Sequence, residues 1–272
     1  MPSSSLQDNA NRAEEEEEEE WIESYGWNDD KEEEDGLGDL FADPDPHETF
    51  HFTFKARTDI RDRTTERSNA SVINIALRGY KAENGQTLNS TGLTLWRASN
   101  ILCDYLLNHS GQMIQEKSVL ELGAGLGICG ILAHKLGASC VVLTDGDTKT
   151  LNALRQNVAL NCHSDPTSST ILCKQLRWGR HLSEFASSFC VPKFQLILGS
   201  DVVYAQDQLE PLFTTIVALL DPNGTFLLAF TRRNVSIDCV LDCATSFGFS
   251  WTEPDSSEGV FEFQFLKEKK VL

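Results

Sequence analysis

Three acids and a tyrosine stand where the chain could turn them to chemistry. Glu121 begins Glu121-Leu-Gly-Ala-Gly-Leu-Gly127, Asp145 follows the apolar run Cys140-Val-Val-Leu-Thr144, and Asp201 and Tyr204 follow Phe194-Gln-Leu-Ile-Leu-Gly199. Carboxylates accept hydrogen bonds and attract cations, and a phenol both donates and accepts. The alternating glycines lie where an apolar strand, 118–122, gives way to a helix. Glycine lets the backbone turn sharply and approach a ligand closely. A helix start adds unpaired N–H groups. Together these describe a nucleotide-type cofactor site. A tight turn without a ligand would explain one such glycine better than three in alternation.

Two cofactor patterns overlap here. Gly125-Leu-Gly127-Ile-Cys-Gly130 satisfies G-x-G-x-x-G, the dinucleotide fingerprint, which is weak alone. Glu121 to Gly127 satisfies acid-x-G-x-G-x-G, the form that suits S-adenosylmethionine. An acid at the strand end favours a ligand bearing an ammonium and a sulfonium, and it repels a pyrophosphate. Asp145 lies about 20 residues beyond the turn, where a carboxylate can accept both ribose hydroxyls of an adenosine. It could equally cap the helix 146–160. Asp201-Val-Val-Tyr204 ends the fourth strand of the main domain. Ligands of open α/β sheets bind beyond the carboxyl ends of the strands. An acid and a phenol there can orient an incoming amine; the plainer reading is a capping Asp and a core Tyr.

The elements that must position these residues alternate regularly. Strands are expected at 118–122, 140–144, 170–174, 194–199 and 225–230. Helices are expected near 127–137, 147–160, 206–220 and 235–247, after an earlier one at 95–107 with apolar residues at helical spacing. This rhythm implies a doubly wound, mainly parallel sheet. Phe50-His-Phe-Thr-Phe-Lys and Val72-Ile-Asn-Ile-Ala-Leu alternate and predict a β-hairpin ahead of it. At the end, Phe249-Ser-Trp251 and Val260-Phe-Glu-Phe-Gln-Phe265 are separated only by a loop, so they should pair antiparallel. That closing hairpin matches a seven-stranded S-adenosylmethionine-dependent methyltransferase; a dinucleotide fold would continue βαβ.

The 272 residues carry a net charge of −18, unevenly. Residues 1–50 hold 19 acids against Arg12 and Lys31, so the remainder is nearly neutral. Segments with blocks such as Glu14 to Glu20 repel themselves and bury little. Residues 1–45 therefore read as an acidic disordered tail, 46–90 as a β-hairpin extension and 91–272 as the main domain. Trp21, Ile22, Tyr25 and Trp27 could dock the tail on a basic partner, although a solvating tail is the simpler reading. Direct nucleic-acid binding by the tail is disfavoured, since polyanions repel. None of the eight cysteines forms a C-x-x-C pair, and no zinc pattern occurs. No signal peptide and no apolar stretch of about 20 residues is present. The expectation is a monomer of the cytoplasm, with the nucleus left open, and neither metal nor membrane.

The order of Thr91-Gly92, Leu95-Trp-Arg-Ala-Ser99, Leu120 to Gly127, Leu176-Arg-Trp-Gly179 and Gly199-Ser-Asp-Val-Val-Tyr204 resembles the family 16 seven-β-strand protein methyltransferases, mostly lysine-specific. The resemblance covers about residues 50–266. It implies a class I, Rossmann-like seven-stranded sheet and a lysine-bearing protein substrate. Trp96 would wall the methionine end of S-adenosylmethionine, with Glu121 and the backbone of Gly123, Ala124 and Gly125 beneath it. Asp145 would hold the ribose, Trp178 the adenine, and Ser200 the adenosyl group. Asp201 and Tyr204 would line the channel for the target nitrogen. Arg177 stands where the family often has Asp, and the acidic tail is no family feature. The same fold could methylate arginine, histidine or a small molecule, or serve as a non-catalytic binding surface. A nicotinamide oxidoreductase fits least well.

Overall fold

The structure, a computed structural model, describes residues 47–56, 71–80, 91–162, 170–189, 193–232, 234–256 and 258–266. The acidic segment 1–45 lies outside them. Two strands, β1 (Glu48–Ala56) and β2 (Ser71–Gly79), form the expected antiparallel hairpin. The main domain follows as α1 (Arg97–Met113), β3 (Ser118–Leu122), α2 (Ile128–Lys135), β4 (Cys140–Asp145), α3 (Thr148–Asn161), β5 (Thr170–Gln175), α4 (Leu182–Ser187), β6 (Phe194–Ser200), α5 (Leu209–Leu219), β7 (Leu220–Phe230), α6 (Ile237–Ser246), β8 (Phe249–Thr252) and β9 (Gly259–Phe265).

The seven strands β3 to β9 make one sheet in the order β5-β4-β3-β6-β7-β9-β8. The first five in that order run parallel, and β9 pairs antiparallel with both β7 and β8. β3 is central and buried along its whole length, as a parallel strand covered on both faces must be. Its side chains alternate between two cores. Val119 joins one with Leu102 and Leu106 of α1, Ile131 and Leu132 of α2, and Leu151 and Leu154 of α3. Leu120 and Leu122 join the other, where Phe213 of α5 meets Phe226, Phe249 and Phe263 of the sheet. Each such ring contributes roughly 1.5–3 kcal/mol by burial. The hairpin shares the first core through Ile75 and Leu77.

Three local features differ from expectation. α1 continues six residues past the expected end, to Met113. β7 starts at Leu220, directly after α5, and a register shift between Phe194 and Leu196 accommodates Asp221-Pro-Asn-Gly224. α4 has no counterpart among the expected helices: it has six residues, and its apolar stripe of Leu182, Phe185 and Ala186 packs on the second core but is too short to show a period.

Candidate active site

A cleft of about 910 Å³ opens beyond the carboxyl ends of β3, β4 and β6. Its floor is the glycine-rich turn. Gly125 has φ +53°, and a Cβ there would come within 3.1 Å of the Gly92 carbonyl, so only glycine permits this crossing. Gly127, at φ +89°, is the N-cap of α2. Ala124 N–H bonds the Thr144 carbonyl at 2.8 Å, fixing the turn to the end of β4.

Asp145 holds the same junction with both oxygens. Oδ2 accepts from Gly125 N–H at 3.2 Å and Oδ1 from Asp147 N–H at 3.0 Å. Burial raises its pKa, and the N–H bonds from Asp147 and Gly125 partly oppose that shift. The N-cap of α3 is Asp147, which accepts from Thr150 N–H at 2.9 Å, so the capping role offered as an alternative for Asp145 falls two residues later.

Asp201 and Tyr204 stand across the turn, after β6. Asp201 has φ +55°, a left-handed conformation that Asp tolerates better than most residues. Its N–H reaches the Ala229 carbonyl at 3.3 Å, and Thr231 Oγ1 donates to Oδ1 at 3.4 Å. Val202 and Val203 are buried and anchor the segment. Tyr204 is 57% exposed at the mouth. Partial burial raises its pKa, as do the charges of Asp145 and Asp207, so the phenol keeps its proton at neutral pH. Ser200 Oγ lies 3.1 Å from Ser99 Oγ, which joins the end of β6 to the first turn of α1.

Of the sequence-derived site residues, Trp96, Gly123, Ala124, Gly125, Asp145, Trp178, Ser200, Asp201 and Tyr204 all line this one cleft. Glu121 does not. Its side chain is buried behind the turn, where Oε2 accepts from Gly130 N–H at 2.8 Å, and burial pushes its pKa up to about 8. Glu121 therefore stands behind the glycine turn and not among the residues that line the cleft. On a strand with two-residue alternation it shares the face of Val119, under α2, away from the opening.

The cleft also takes in Thr94, Asp147, Arg177, Arg180, Gln208 and Asn234, which sequence reasoning did not assign. Thr94 Oγ1 is buried with no hydrogen-bond partner among the described residues. Asn234 follows the carboxyl end of β7, and the strand-end rule applied to that strand would have found it.

A family model described as lysine methyltransferase matches residues 81–242. The chain is 35% identical over 139 residues to protein N-lysine methyltransferase METTL21A of Xenopus tropicalis, covering 51% of this chain and 60% of that protein. It is 30% identical over 193 residues to protein N-terminal and lysine N-methyltransferase EFM7 of Yarrowia lipolytica, covering 64% of this chain and 68% of that protein. Against a solved S-adenosylmethionine-dependent methyltransferase from Agrobacterium tumefaciens, the TM-score is 0.48 at 14% identity, over 71% of this chain and 68% of the other.

Proposed function

The chain belongs to the lysine methyltransferase family, and from that premise we propose that it transfers a methyl group from S-adenosylmethionine to a lysine side chain of a protein. One observation carries the reading. Asp145 at the end of β4, the glycine turn after β3 and Asp201 after β6 line a single cleft at the ends of three adjacent strands.

The residues present fit the cofactor. A carboxylate has about four acceptor sites, and Asp145, which accepts from the N–H groups of Gly125 and Asp147 and more weakly from that of Gly146, keeps acceptor capacity for the ribose. The left-handed backbone at Gly123 and Gly125 brings peptide groups to the cleft floor without a Cβ. Trp178, half-buried in the wall, offers a flat apolar face to an adenine. Trp96 would border the methionine end, and Ser200 the adenosyl group. The cavity lies within the usual ligand-site range of roughly 300–1,000 Å³. Glu121 supports the turn from behind.

S-adenosylmethionine supplies, when bound, a sulfonium-activated methyl group open to in-line attack by nitrogen. The protein's own part is to present that nitrogen. Asp201 attracts the lysine ammonium, and Tyr204 bonds the nitrogen or packs along the aliphatic stem. A lysine in water has a pKa near ~10.4. An aromatic-lined site favours its neutral form, because burial disfavours charge. The released proton leaves through the open mouth. Asp201 thus acts by recruitment and orientation, which suffices where positioning is the main requirement.

Incubating lysate with the purified protein and methyl-labelled S-adenosylmethionine, then mapping the labelled peptide, tests the acceptor. Label on a lysine is expected; label confined to arginine, histidine or a small molecule refutes that assignment. Calorimetry should show saturable binding of S-adenosylmethionine and S-adenosylhomocysteine. Saturable binding of NAD alone would overturn the cofactor.

A further inference from the structure

Two asparagines of α3 fasten the N-terminal hairpin to the main domain. Asn157 and Asn161 lie one turn apart and face the edge of β2 that β1 leaves unpaired. Asn161 Oδ1 accepts from Ala76 N–H at 2.9 Å, and its Nδ2 donates to the Ala76 carbonyl at 2.6 Å. Asn157 repeats the pattern two residues along. Its Oδ1 accepts from Arg78 N–H at 2.8 Å, and its Nδ2 donates to the Arg78 carbonyl at 3.2 Å. The side-chain amides stand in for a neighbouring strand, and their partners fix which end of each amide points where.

The two differ in one bond. Asn157 Nδ2 also donates to the Leu126 carbonyl at 3.1 Å, whereas the second donation of Asn161 returns to its own helix, at the Asn157 carbonyl. Leu126 is the residue between Gly125 and Gly127 in the cleft floor, and it is 2% exposed. The turn is gripped on both sides there. A Cβ on Gly79 at the end of β2 would lie 2.6 Å from Leu126 Cδ1, and one on Gly127 would lie 2.4 Å from Leu154 Cδ1 of α3.

We propose that Asn157 is a positioning residue for methyl transfer: it couples the docked hairpin to the glycine-rich turn and so holds that turn ready for the cofactor. The inference rests on reading the cleft as the S-adenosylmethionine site. Its cause is local. Without Asn157 the buried Leu126 carbonyl has lost a partner, and a buried unpaired carbonyl drives rearrangement. A turn that must be reordered on binding binds more weakly than one already set. Asn161 supports the hairpin without reaching the turn, and so separates docking from positioning.

The test compares Asn157→Ala with Asn161→Ala in the full chain, with two readouts. Both should lower the melting temperature. Only Asn157→Ala should speed hydrogen exchange across residues 123–130 in the ligand-free protein, and only it should raise the Kd for S-adenosylmethionine, by about ten-fold. Should that variant not fold, Asn157→Ser, which keeps a small polar group, is measured in its place. Unchanged exchange in the Asn157 variant, equal changes in both variants, or faster exchange with unaltered Kd would overturn the proposal. If the unmodified chain binds no S-adenosylmethionine while the exchange difference holds, the coupling stands and the cofactor reading falls.

Discussion

Glu121→Gln should make the protein more stable, by an amount set by pH. The carboxyl is buried behind the glycine turn, and its folded pKa is pushed up to about 8 from an ordinary 4.5, chiefly by burial. The bonds from Gly130 N–H and Cys129 pull the other way without cancelling that shift. Between those two values the unfolded chain has released the proton and the folded chain retains it. Unfolding is then favoured by proton release, so stability falls as pH rises through the window, by about 1.4 kcal/mol per unit. The accumulated loss is on the order of 4–5 kcal/mol above the folded pKa and near zero below 4.5. Glutamine keeps an oxygen for Gly130 N–H and carries no proton to release. Urea denaturation of both proteins from pH 5 to 9 checks this. The curves should differ by only about 1 kcal/mol at pH 5 and separate steadily toward pH 8, with Gln the more stable. Parallel curves would mean that Glu121 is ionised in the folded protein and that the burial argument is wrong. The same variant should leave the Kd for S-adenosylmethionine within about three-fold, since Glu121 does not line the cleft.

Asp145→Ala should raise the Kd for S-adenosylmethionine about ten- to a hundred-fold by calorimetry; because burial raises the Asp145 pKa, wild-type affinity should fall on acidification at a higher pH than an ordinary aspartate would give. Unaltered affinity in the folded variant would leave Asp145 an architectural residue alone. Asp201→Asn and Tyr204→Phe should each slow single-turnover methylation, by on the order of a hundred-fold, with Kd nearly constant. Asn tolerates the left-handed backbone at position 201, so that variant tests charge rather than strain, and near-normal turnover in both would remove these residues from the chemistry. Deleting residues 1–45 should leave melting temperature and Kd unchanged, and a large drop in melting temperature or a large rise in Kd would give that segment a contact with the domain.

What was legible in the sequence follows from what periodicity measures. Apolar runs such as Val141-Val-Leu143 and the glycines after β3 announce the alternating strands and the turn, because burial and backbone freedom select residue types directly. The glycine turn, Asp145, Asp201 and Tyr204 are legible because they lie at or just after strand ends, whereas Trp96, before α1, and Trp178 enter only through the family resemblance. Buried polar groups were not. Asn157 is 1% exposed, yet on a helix of mixed polarity it reads as a solvated residue, since nothing in its own helix shows the edge of β2 that it covers. The sequence also offers Asp145 both as ribose ligand and as helix cap, and the cap is Asp147, whose side chain the spacing alone does not single out.

The position of Glu121 behind the turn has a specific cause. Its distance along the chain from the glycines puts the acid beside the turn. The side it faces is decided by the two-residue alternation of β3. Leu120 and Leu122 belong to the core with α5, and Val119 and Glu121 face the opposite way. A carboxylate on that face meets the start of α2, and its first available donor is Gly130 N–H. A Cβ on Gly130 would lie 2.6 Å from Glu121 Oε2, so the last glycine of G-x-G-x-x-G makes room for this side chain. The overlap of the two cofactor patterns at 121–130 therefore has a structural origin: the acid of one and the final glycine of the other pack against each other beneath the turn. Asp145 and Asp201 are left to face the cleft from β4 and β6, one on each side of β3. That separation gives the proposed chemistry its direction, with the ribose held on one side and a cationic acceptor drawn in from the other.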